Sequence, residues 1–211
     1  NMALSPCPEC GKMISNQAPS CPACGFPISQ YVQQKSTLLQ FGRYPQGGER
    51  IEWRVLERVD GRAYLISDKC VDFMFYNADT EDTVSWERCF MRQWLNTTFL
   101  EAAFSAEEKR HMLVFEADAD SGIRDGVSLL SGAQIEHYFP DENSRVVCAT
   151  NYANSRIGKS ESQETSVAWW ARGSNITSEI VLSSGKLVVT MEGTYNATFF
   201  GVRPVICIMQ E

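Results

Sequence analysis

Two copies of the pattern Cys-Pro-x-Cys-Gly lie close to the start of the chain and constrain its folding more than any other feature. In each copy both thiolates can lie on one tight turn, and the following glycine permits the positive φ that such a turn needs. Two of these turns can place four thiolates around one tetrahedral zinc ion. The sequence therefore predicts a zinc site formed by Cys7, Cys10, Cys21 and Cys24.

Paired cysteines also occur in disulfides and in redox Cys-x-x-Cys sites, but neither use calls for two turns that each carry a glycine. Because the apolar residues between the pairs are too few for a core, metal binding must supply most of the folding free energy of this segment. The segment resembles the short zinc ribbons at the N-terminus of many prokaryotic proteins. We predict a zinc ribbon over residues 1–28, a linker over 29–37 and a main domain over 38–211.

Composition limits the class of protein. The chain has 211 residues and 44% hydrophobic content, enough for one medium domain beside the ribbon. The net charge of -7 falls outside the ribbon, and an acidic body argues against non-specific nucleic-acid binding. No apolar run approaches the roughly 20 residues of a membrane helix, and the signal-peptide layout is missing. We expect a cytoplasmic protein that does not bind membranes.

The remaining cysteines are scattered along the chain, several of them among apolar residues. Cysteines in such positions are most often small buried hydrophobes that stay reduced in a cytosol. We therefore expect core positions for Cys70, Cys89, Cys148 and Cys207.

Alternating apolar and polar residues predict strands in the main domain. A hairpin over 51–67 turns at Asp60-Gly61, a favoured two-residue turn, and a second over 179–189 turns at Ser184-Gly185. A short strand starts at Leu39. A final strand over 199–208 contains Pro204, which suggests a sheet edge or a bulge.

Helical periodicity is clearest between Ser85, a candidate N-cap, and Asn96, a candidate C-cap. Trp86, Phe90 and Trp94 share one face of this segment. An aromatic stripe can bind a ligand, but packing against a sheet is its commoner use, and we expect this one to lie in the core.

Capping boxes predict two further short helices, one opening at Ser105 with Glu108 and one at Ser131 with Gln134. Residues 141–167 are rich in polar side chains and predict long irregular loops. Helices placed between strand-rich ends indicate α+β architecture, with antiparallel strands and a few short helices.

Several segments of the main domain resemble a family of uncharacterised bacterial domains over about residues 38–209. They are Phe41-Gly-Arg-Tyr-Pro-Gln, Ile51-Glu-Trp-Arg-Val-Leu, Trp86 with Met91-Arg-Gln-Trp-Leu-Asn, Phe104-Ser-Ala-Glu-Glu, Leu129-Leu-Ser, Trp169-Trp-Ala-Arg-Gly-Ser and Gly201-Val-Arg-Pro-Val. That family looks like the C-type-lectin-like fold of the formylglycine-generating enzyme (sulfatase-modifying factor) and of phage variable proteins. The resemblance implies that the first and last strands pair and that the loops before the last strands form a binding face.

A binding face of this kind needs aromatic and polar side chains on loops held by a rigid scaffold. The candidate residues are Asn151, Tyr152, Trp169, Trp170, Arg172, Asn175 and Arg203. Because Trp169 and Trp170 are adjacent on an extended segment, one of them is expected to face the core. Arg203 could instead pair with a buried carboxylate and hold the sheet edge.

Three functions are compatible with these features. The first is a non-enzymatic module that binds a protein or a small ligand. The second is an oxidase like the formylglycine-generating enzyme, which relies on a cysteine pair near its C-terminus, whereas Cys207 stands alone here. The third is a zinc-ribbon nucleic-acid binder. We favour the first, since the acidic body weakens the third and His111 and His137 lie where histidines more often cap or pack than catalyse.

Overall fold

The computed structural model describes residues 4–7, 10–15, 18–26, 38–77, 84–117, 122–159, 165–173, 177–191 and 198–210. The chain forms two compact units, Asn1–Leu39 and Gln40–Glu211. The linker predicted over 29–37 lies outside the described residues. In the first unit, strand β1 (Leu4–Pro6) pairs antiparallel with β2 (Met13–Ser15).

The second unit is a mixed α+β domain with more strands than helices, as predicted. Its strands are β3 (Leu39–Arg43), β4 (Arg50–Val59), β5 (Arg62–Ser67), β6 (Asp72–Met74), β7 (Met112–Leu113), β8 (Phe115–Glu116), β9 (Arg124–Asp125), β10 (Val127–Ser128), β11 (Trp169–Ala171), β12 (Thr177–Val181), β13 (Leu187–Met191), β14 (Phe200–Val202) and β15 (Val205–Met209).

Two sheets organise these strands. A six-stranded sheet has the order β10-β15-β5-β4-β3, and β7 also pairs with β15. A five-stranded sheet has the order β13-β12-β11-β14-β6, in which β11 and β14 are parallel. Strands β8 and β9 form a separate pair.

Both predicted hairpins form. Strands β4 and β5 meet at Asp60 and Gly61, whose φ values of 49° and 72° match a primed two-residue turn. Strands β12 and β13 meet around Gly185 at φ 90°, where an added Cβ would overlap the Glu142 carbonyl oxygen. Only glycine fits that close approach.

The predicted single strand over 199–208 is two strands, because Arg203 and Pro204 carry the chain from one sheet to the other. Strand β14 pairs with β6, whereas β15 pairs with β5 along its whole length. Proline cannot donate to a strand ladder, but its carbonyl still accepts a hydrogen bond from Ser67 N at 3.0 Å. The C-terminal strand β15 therefore pairs with the early hairpin, as expected. The pairing of the first and last strands that the resemblance implies is not found, because β5 and β4 lie between β15 and β3.

The predicted helix over 85–96 is wrong at both ends. The segment begins with a 3₁₀ turn, Trp86–Arg88, followed by helix α1 (Phe90–Trp94). A π-helical turn, Leu95–Phe99, then connects α1 to helix α2 (Leu100–Ala103). Ser85 makes no side-chain cap; Cys89 Sγ accepts from Arg92 N instead. Asn96 does not end the helix. Its side-chain Oδ1 accepts hydrogen bonds from Gly126 N and Val127 N at the start of β10.

The aromatic stripe lies largely in the core, with Trp86 and Trp94 buried and Phe90 half-buried. Trp86 Nε1 donates to Asp125 Oδ2 at 2.7 Å, and Arg92 Nε lies 2.6 Å from Asp125 Oδ1. The stripe therefore contacts the aromatic rings of Tyr44, Phe75 and Tyr76, and its Trp86, with Arg92, binds the buried Asp125 carboxylate.

Both capping boxes form as predicted, at the start of α3 (Ala106–His111) and of α4 (Gly132–Tyr138). The irregular loop predicted over 141–167 is wrong in part, because it contains α5 (Glu142–Arg145) and α6 (Asn151–Arg156). Asp141 and Thr150 are their N-caps, and each accepts a backbone N–H three residues on. Within the described residues, no helix has the length and apolarity that crossing a membrane requires.

Candidate functional site

The two cysteine turns of the first unit have the same backbone geometry. In the first, Gly11 N donates to Cys7 O at 2.9 Å, and in the second, Gly25 N donates to Cys21 O at 2.8 Å. Both glycines have positive φ, 70° and 79°. The residue pattern therefore builds the turn twice, as the sequence predicts.

The four sulfur atoms lie within 4.8 Å of one another. Cys7 Sγ is 3.7 Å from Cys24 Sγ, and Cys10 Sγ is 3.7 Å from Cys21 Sγ. A disulfide needs about 2.05 Å, whereas a tetrahedron of thiolates at about 2.3 Å from a metal has edges of about 3.8 Å. These four cysteines could hold a metal ion.

The predicted ligand face is not one surface, because both tryptophans of β11 are fully buried. Trp169 Nε1 donates to Arg145 O, and Trp170 Nε1 donates to Met74 O. The expectation that one indole is free is wrong. Strand β11 is the middle strand of its sheet and both of its faces are covered, so alternation along the strand exposes neither side chain.

Arg172 and Arg203 are also buried, at 3% and 2% exposure, so neither can reach a ligand from solvent. Arg172 donates to the Ala117 carbonyl and to Gln134 Oε1. Arg203 Nε donates to Ser67 O, and its guanidinium carbon lies 5.0 Å from the Phe139 ring centroid and 5.1 Å from that of Trp169.

The contacts of Arg203 differ from the predicted pairing with a buried carboxylate. Its hydrogen bond to a carbonyl and its two ring contacts hold the crossing between the sheets, and burial lowers the pKa of Arg203 to about 10. These arginines therefore belong to the scaffold, and Asn175 lies outside the described residues.

Asn151 and Tyr152, the other two predicted residues, line a cavity of about 620 Å³. We call it the Tyr152 cavity. The first turn of α6 forms one wall, and the β3–β4 connection with the start of β4 forms the other. Its lining residues are Gln40, Tyr44, Pro45, Gly48, Glu49, Arg50, Ile51, Glu52, Lys69, Val71, Thr150, Asn151, Tyr152 and Ser155.

A buried carboxylate supports the tyrosines of this cavity. The Tyr44 hydroxyl donates to Asp72 Oδ2 at 2.8 Å, and Phe73 N donates to Oδ1 at 2.8 Å. Arg156 Nε lies 3.4 Å from Oδ1, on a side chain that is 44% exposed, whereas the Asp72 side chain is fully buried. The Tyr44 and Tyr152 rings meet edge to face at 5.4 Å. Both rings are therefore fixed in orientation before any ligand arrives.

Burial shifts the pKa values of Asp72 and Tyr44. It raises the pKa of Asp72, although the hydrogen bond from Tyr44 opposes the rise. Burial and the nearby Asp72 carboxylate both raise the pKa of Tyr44, so the phenol stays a neutral donor across the physiological range. The Tyr44 hydroxyl in the cavity wall therefore donates to the Asp72 carboxylate, which is buried behind the lining.

We expect Asp72→Asn to remove the contribution of the Asp72 carboxyl group to the pH dependence of the unfolding free energy. Above the ordinary carboxyl pKa of about 3.9 the unfolded chain ionises first, so a raised folded pKa makes the unfolding free energy fall as pH rises. Wild type should therefore lose stability relative to Asp72→Asn as pH rises from about 3.9 through the raised pKa of Asp72. Parallel urea titrations across this range measure the difference, and a constant difference between the two proteins would contradict it.

Sequence reasoning missed Tyr44, Asp72 and Arg156. One signal was available, since Asp72 interrupts the apolar run Val71-Asp-Phe-Met-Phe and a carboxylate in such a run needs partners. Tyr44 follows the predicted first strand and precedes Pro45-Gln-Gly-Gly. At such a position an aromatic side chain suggests packing against the turn and gives no sign of a binding site. Their convergence depends on contacts between distant segments.

Together these features define a mixed α+β domain with a polar cavity, in a chain that also carries a four-cysteine cluster. A family model described as "Domain of unknown function (DUF6273)" matches residues 60–210. Because the match covers well over half of the chain, this protein belongs to the DUF6273 family. No curated protein and no solved structure gives a significant match to the chain.

Proposed function

We propose that the main domain is a non-enzymatic binding module and that its ligand occupies the Tyr152 cavity. The observation that carries the proposal is the cavity itself, about 620 Å³ in volume and lined by two of the residues that the sequence selects for binding. Cavities of roughly 300–1,000 Å³ enclose small organic ligands. The scaffold beneath it is rigid, because Tyr44 and Asp72 are held by hydrogen bonds and ring contacts.

The lining indicates a small polar ligand without a large net charge. Glu49 and Glu52 are balanced by Arg50 and Lys69, and Arg50 Nη1 lies 3.3 Å from Glu108 Oε1. Hydroxyl and amide groups on Thr150, Asn151 and Ser155 add donors and acceptors, while the tyrosines offer ring surface. Neutral polyols, nucleosides and zwitterions fit this chemistry.

The buried cysteines of the main domain favour binding over thiol chemistry. Burial raises the pKa of Cys70 to about 12 and that of Cys89 to about 11, and it also raises the pKa of Cys207. A thiol nucleophile needs a lowered pKa and access to substrate. These three positions have neither, which argues against an oxidase of the formylglycine-generating type.

We also propose that the metal of the four-cysteine cluster is zinc. Four thiolates with tetrahedral edges suit Zn²⁺, and Cys7, Cys10, Cys21 and Cys24 would hold it. With four protein ligands the ion would have no open position, so its role would be structural. It would supply folding free energy to a segment whose described apolar cluster is small, formed by Cys7, Ile14 and Cys21 with Phe26.

A relationship of the main domain to the C-type-lectin-like fold is a further part of the proposal. It is supported by the pairing of the C-terminal strand β15 with β5 of the early hairpin and by the polar cavity beside α6. An experimental structure that superposes on that fold class would test it.

Ligand-observed NMR with a defined panel of polyols, nucleosides and amino acids tests the binding function. We expect at least one compound to bind the full chain, and Tyr152→Ala to weaken its affinity about tenfold, since Tyr152 offers ring contact and a hydroxyl. Asn143→Ala, at an exposed position on α5, is the matched control and should change nothing. A panel without a binder, or a binder unaffected by Tyr152→Ala and Asn151→Ala, would contradict the proposal.

A further inference from the structure

A second cavity in the main domain, of about 510 Å³, shares no lining residue with the Tyr152 cavity. It lies where one face of the six-stranded sheet meets helix α4 and strand β8. The sheet contributes Leu56, Glu57 and Tyr64, and α4 contributes Gln134 and Tyr138. We call it the acidic cavity.

The charged residues that line this cavity are Glu57 and Glu116, and its described lining contains neither lysine nor arginine. Both carboxylates are on exposed residues at its mouth, and Glu57 Oε2 accepts from the Tyr138 hydroxyl at 3.3 Å. Neighbouring cations are outside the lining: the buried Arg172 donates to Ala117 O and Gln134 Oε1, and Arg124 pairs with Glu116 across β8 and β9. A cleft whose own lining carries one sign of charge attracts the opposite charge. The Tyr152 cavity differs, because its acidic and basic residues balance.

The inner walls are apolar and aromatic. The half-buried Leu56 offers apolar surface to the cavity, and Leu129, Leu130 and Val205, each at most 3% exposed, pack behind it. The Tyr64 ring packs edge to face with Phe115 at 5.7 Å, and Tyr138 is half-buried. Burial raises the pKa of both tyrosines, so both remain neutral phenols. Such rings attract cations through their faces.

A β-bulge in β4 places the Glu57 side chain on the face of the sheet that lines the acidic cavity. Val55 pairs with Leu65 and Glu57 pairs with Tyr64, so Leu56 is an extra residue in β4. Directly paired residues share one face of a sheet, and a slip of one residue changes the face. Without the bulge, Leu56 would oppose Tyr64 and Glu57 would point to the other face. Bulges commonly redirect side chains next to binding sites in this way.

We propose that the acidic cavity binds a small organic cation, an alkylammonium group with a compact apolar body. The carboxylates neutralise the charge, the tyrosine rings contact the ammonium, and the half-buried Leu56 contacts the hydrocarbon. This site is independent of the ligand proposed for the Tyr152 cavity.

Choline and dimethylbutanol, its isostere in which carbon replaces the quaternary nitrogen, test the proposal in NMR chemical-shift titrations of the full chain. We expect choline to bind about tenfold more tightly than the neutral isostere, with shifts centred on Tyr64 and Tyr138. The double variant Glu57→Gln, Glu116→Gln should remove most of that preference. The amide oxygen of the first substitution can still accept from the Tyr138 hydroxyl, so the wall should keep its structure.

Glu49→Gln is the matched control, because it removes a carboxylate from the other cavity and should leave choline binding unchanged. Thermal melting of each variant confirms that it is folded. Equal affinity for choline and its neutral isostere would overturn the proposal, as would an undiminished preference for choline in the double variant. Failure of the small-ligand panel at the Tyr152 cavity would leave these measurements unaffected.

Discussion

Replacing Cys21 by serine should abolish metal binding and unfold the first unit of the chain. Cys21 is 2% exposed and its Sγ lies 3.7 Å from Cys10 Sγ, so it supplies one corner of the thiolate tetrahedron. Structural zinc sites of four thiolates contribute an apparent ~10–16 kcal/mol, which exceeds what so small a segment can gain by burying apolar surface. Elemental analysis should find about one zinc per wild-type chain and well under one in Cys21→Ser.

The loss of structure is measured by NMR at Gly11 and Gly25, which have positive φ in the two cysteine turns. Their amide signals should collapse to random-coil positions in Cys21→Ser and, for wild type, after chelation. Ser20→Ala is the control, since Ser20 is exposed beside the same turn and should leave zinc content unchanged. Native amide signals at both glycines in metal-free protein would show that the unit folds without metal.

Trp170→Ala should lower the unfolding free energy of the main domain by about 3–5 kcal/mol, the usual cost of truncating a buried aromatic side chain. The indole is fully buried, contacts Tyr76 at a centroid distance of 5.3 Å and Phe200 at 5.0 Å, and donates to Met74 O. Truncation therefore leaves a cavity and an unpaired carbonyl in the same place. Urea titration followed by circular dichroism measures the change.

Val114→Ala provides the comparison, because Val114 is 57% exposed and its truncation should cost under ~0.5 kcal/mol. The result separates the two roles considered for Trp170. A stability loss below ~1 kcal/mol would place the indole on a surface available to ligands, contrary to its full burial.

Local features were predictable because their physics is local. The spacing of Cys7 and Cys10, repeated at Cys21 and Cys24, specifies its turn within five residues. The hairpin at Asp60-Gly61 depends on the φ that two residues accept, and the capping boxes at Ser105 and Ser131 depend on groups three residues apart. The structure forms each of these features at the predicted place.

Element boundaries were predicted less well where a distant partner competes for a side chain. Asn96 is a residue type that often caps helix C-termini. Here its side chain accepts hydrogen bonds from Gly126 N and Val127 N, and the helix continues through a π-helical turn. Thr150 caps a helix inside a polar stretch that resembles a loop. Polar composition indicates that a segment is solvent-exposed, but it does not distinguish a helix from a loop.

Interactions among near neighbours made the four-cysteine cluster, the hairpins, the capped helices and the α+β class predictable from the sequence. Which polar and aromatic residues are accessible depends on how distant segments pack in the folded domain. Alternation marks Trp169 and Trp170 as pointing to opposite faces, but both faces of β11 are covered by other elements. The Tyr152 cavity likewise joins Tyr44 and Tyr152 from separate segments. The buried Asp72 lies behind them, because a buried carboxylate needs a hydroxyl and a guanidinium that only folding brings to it.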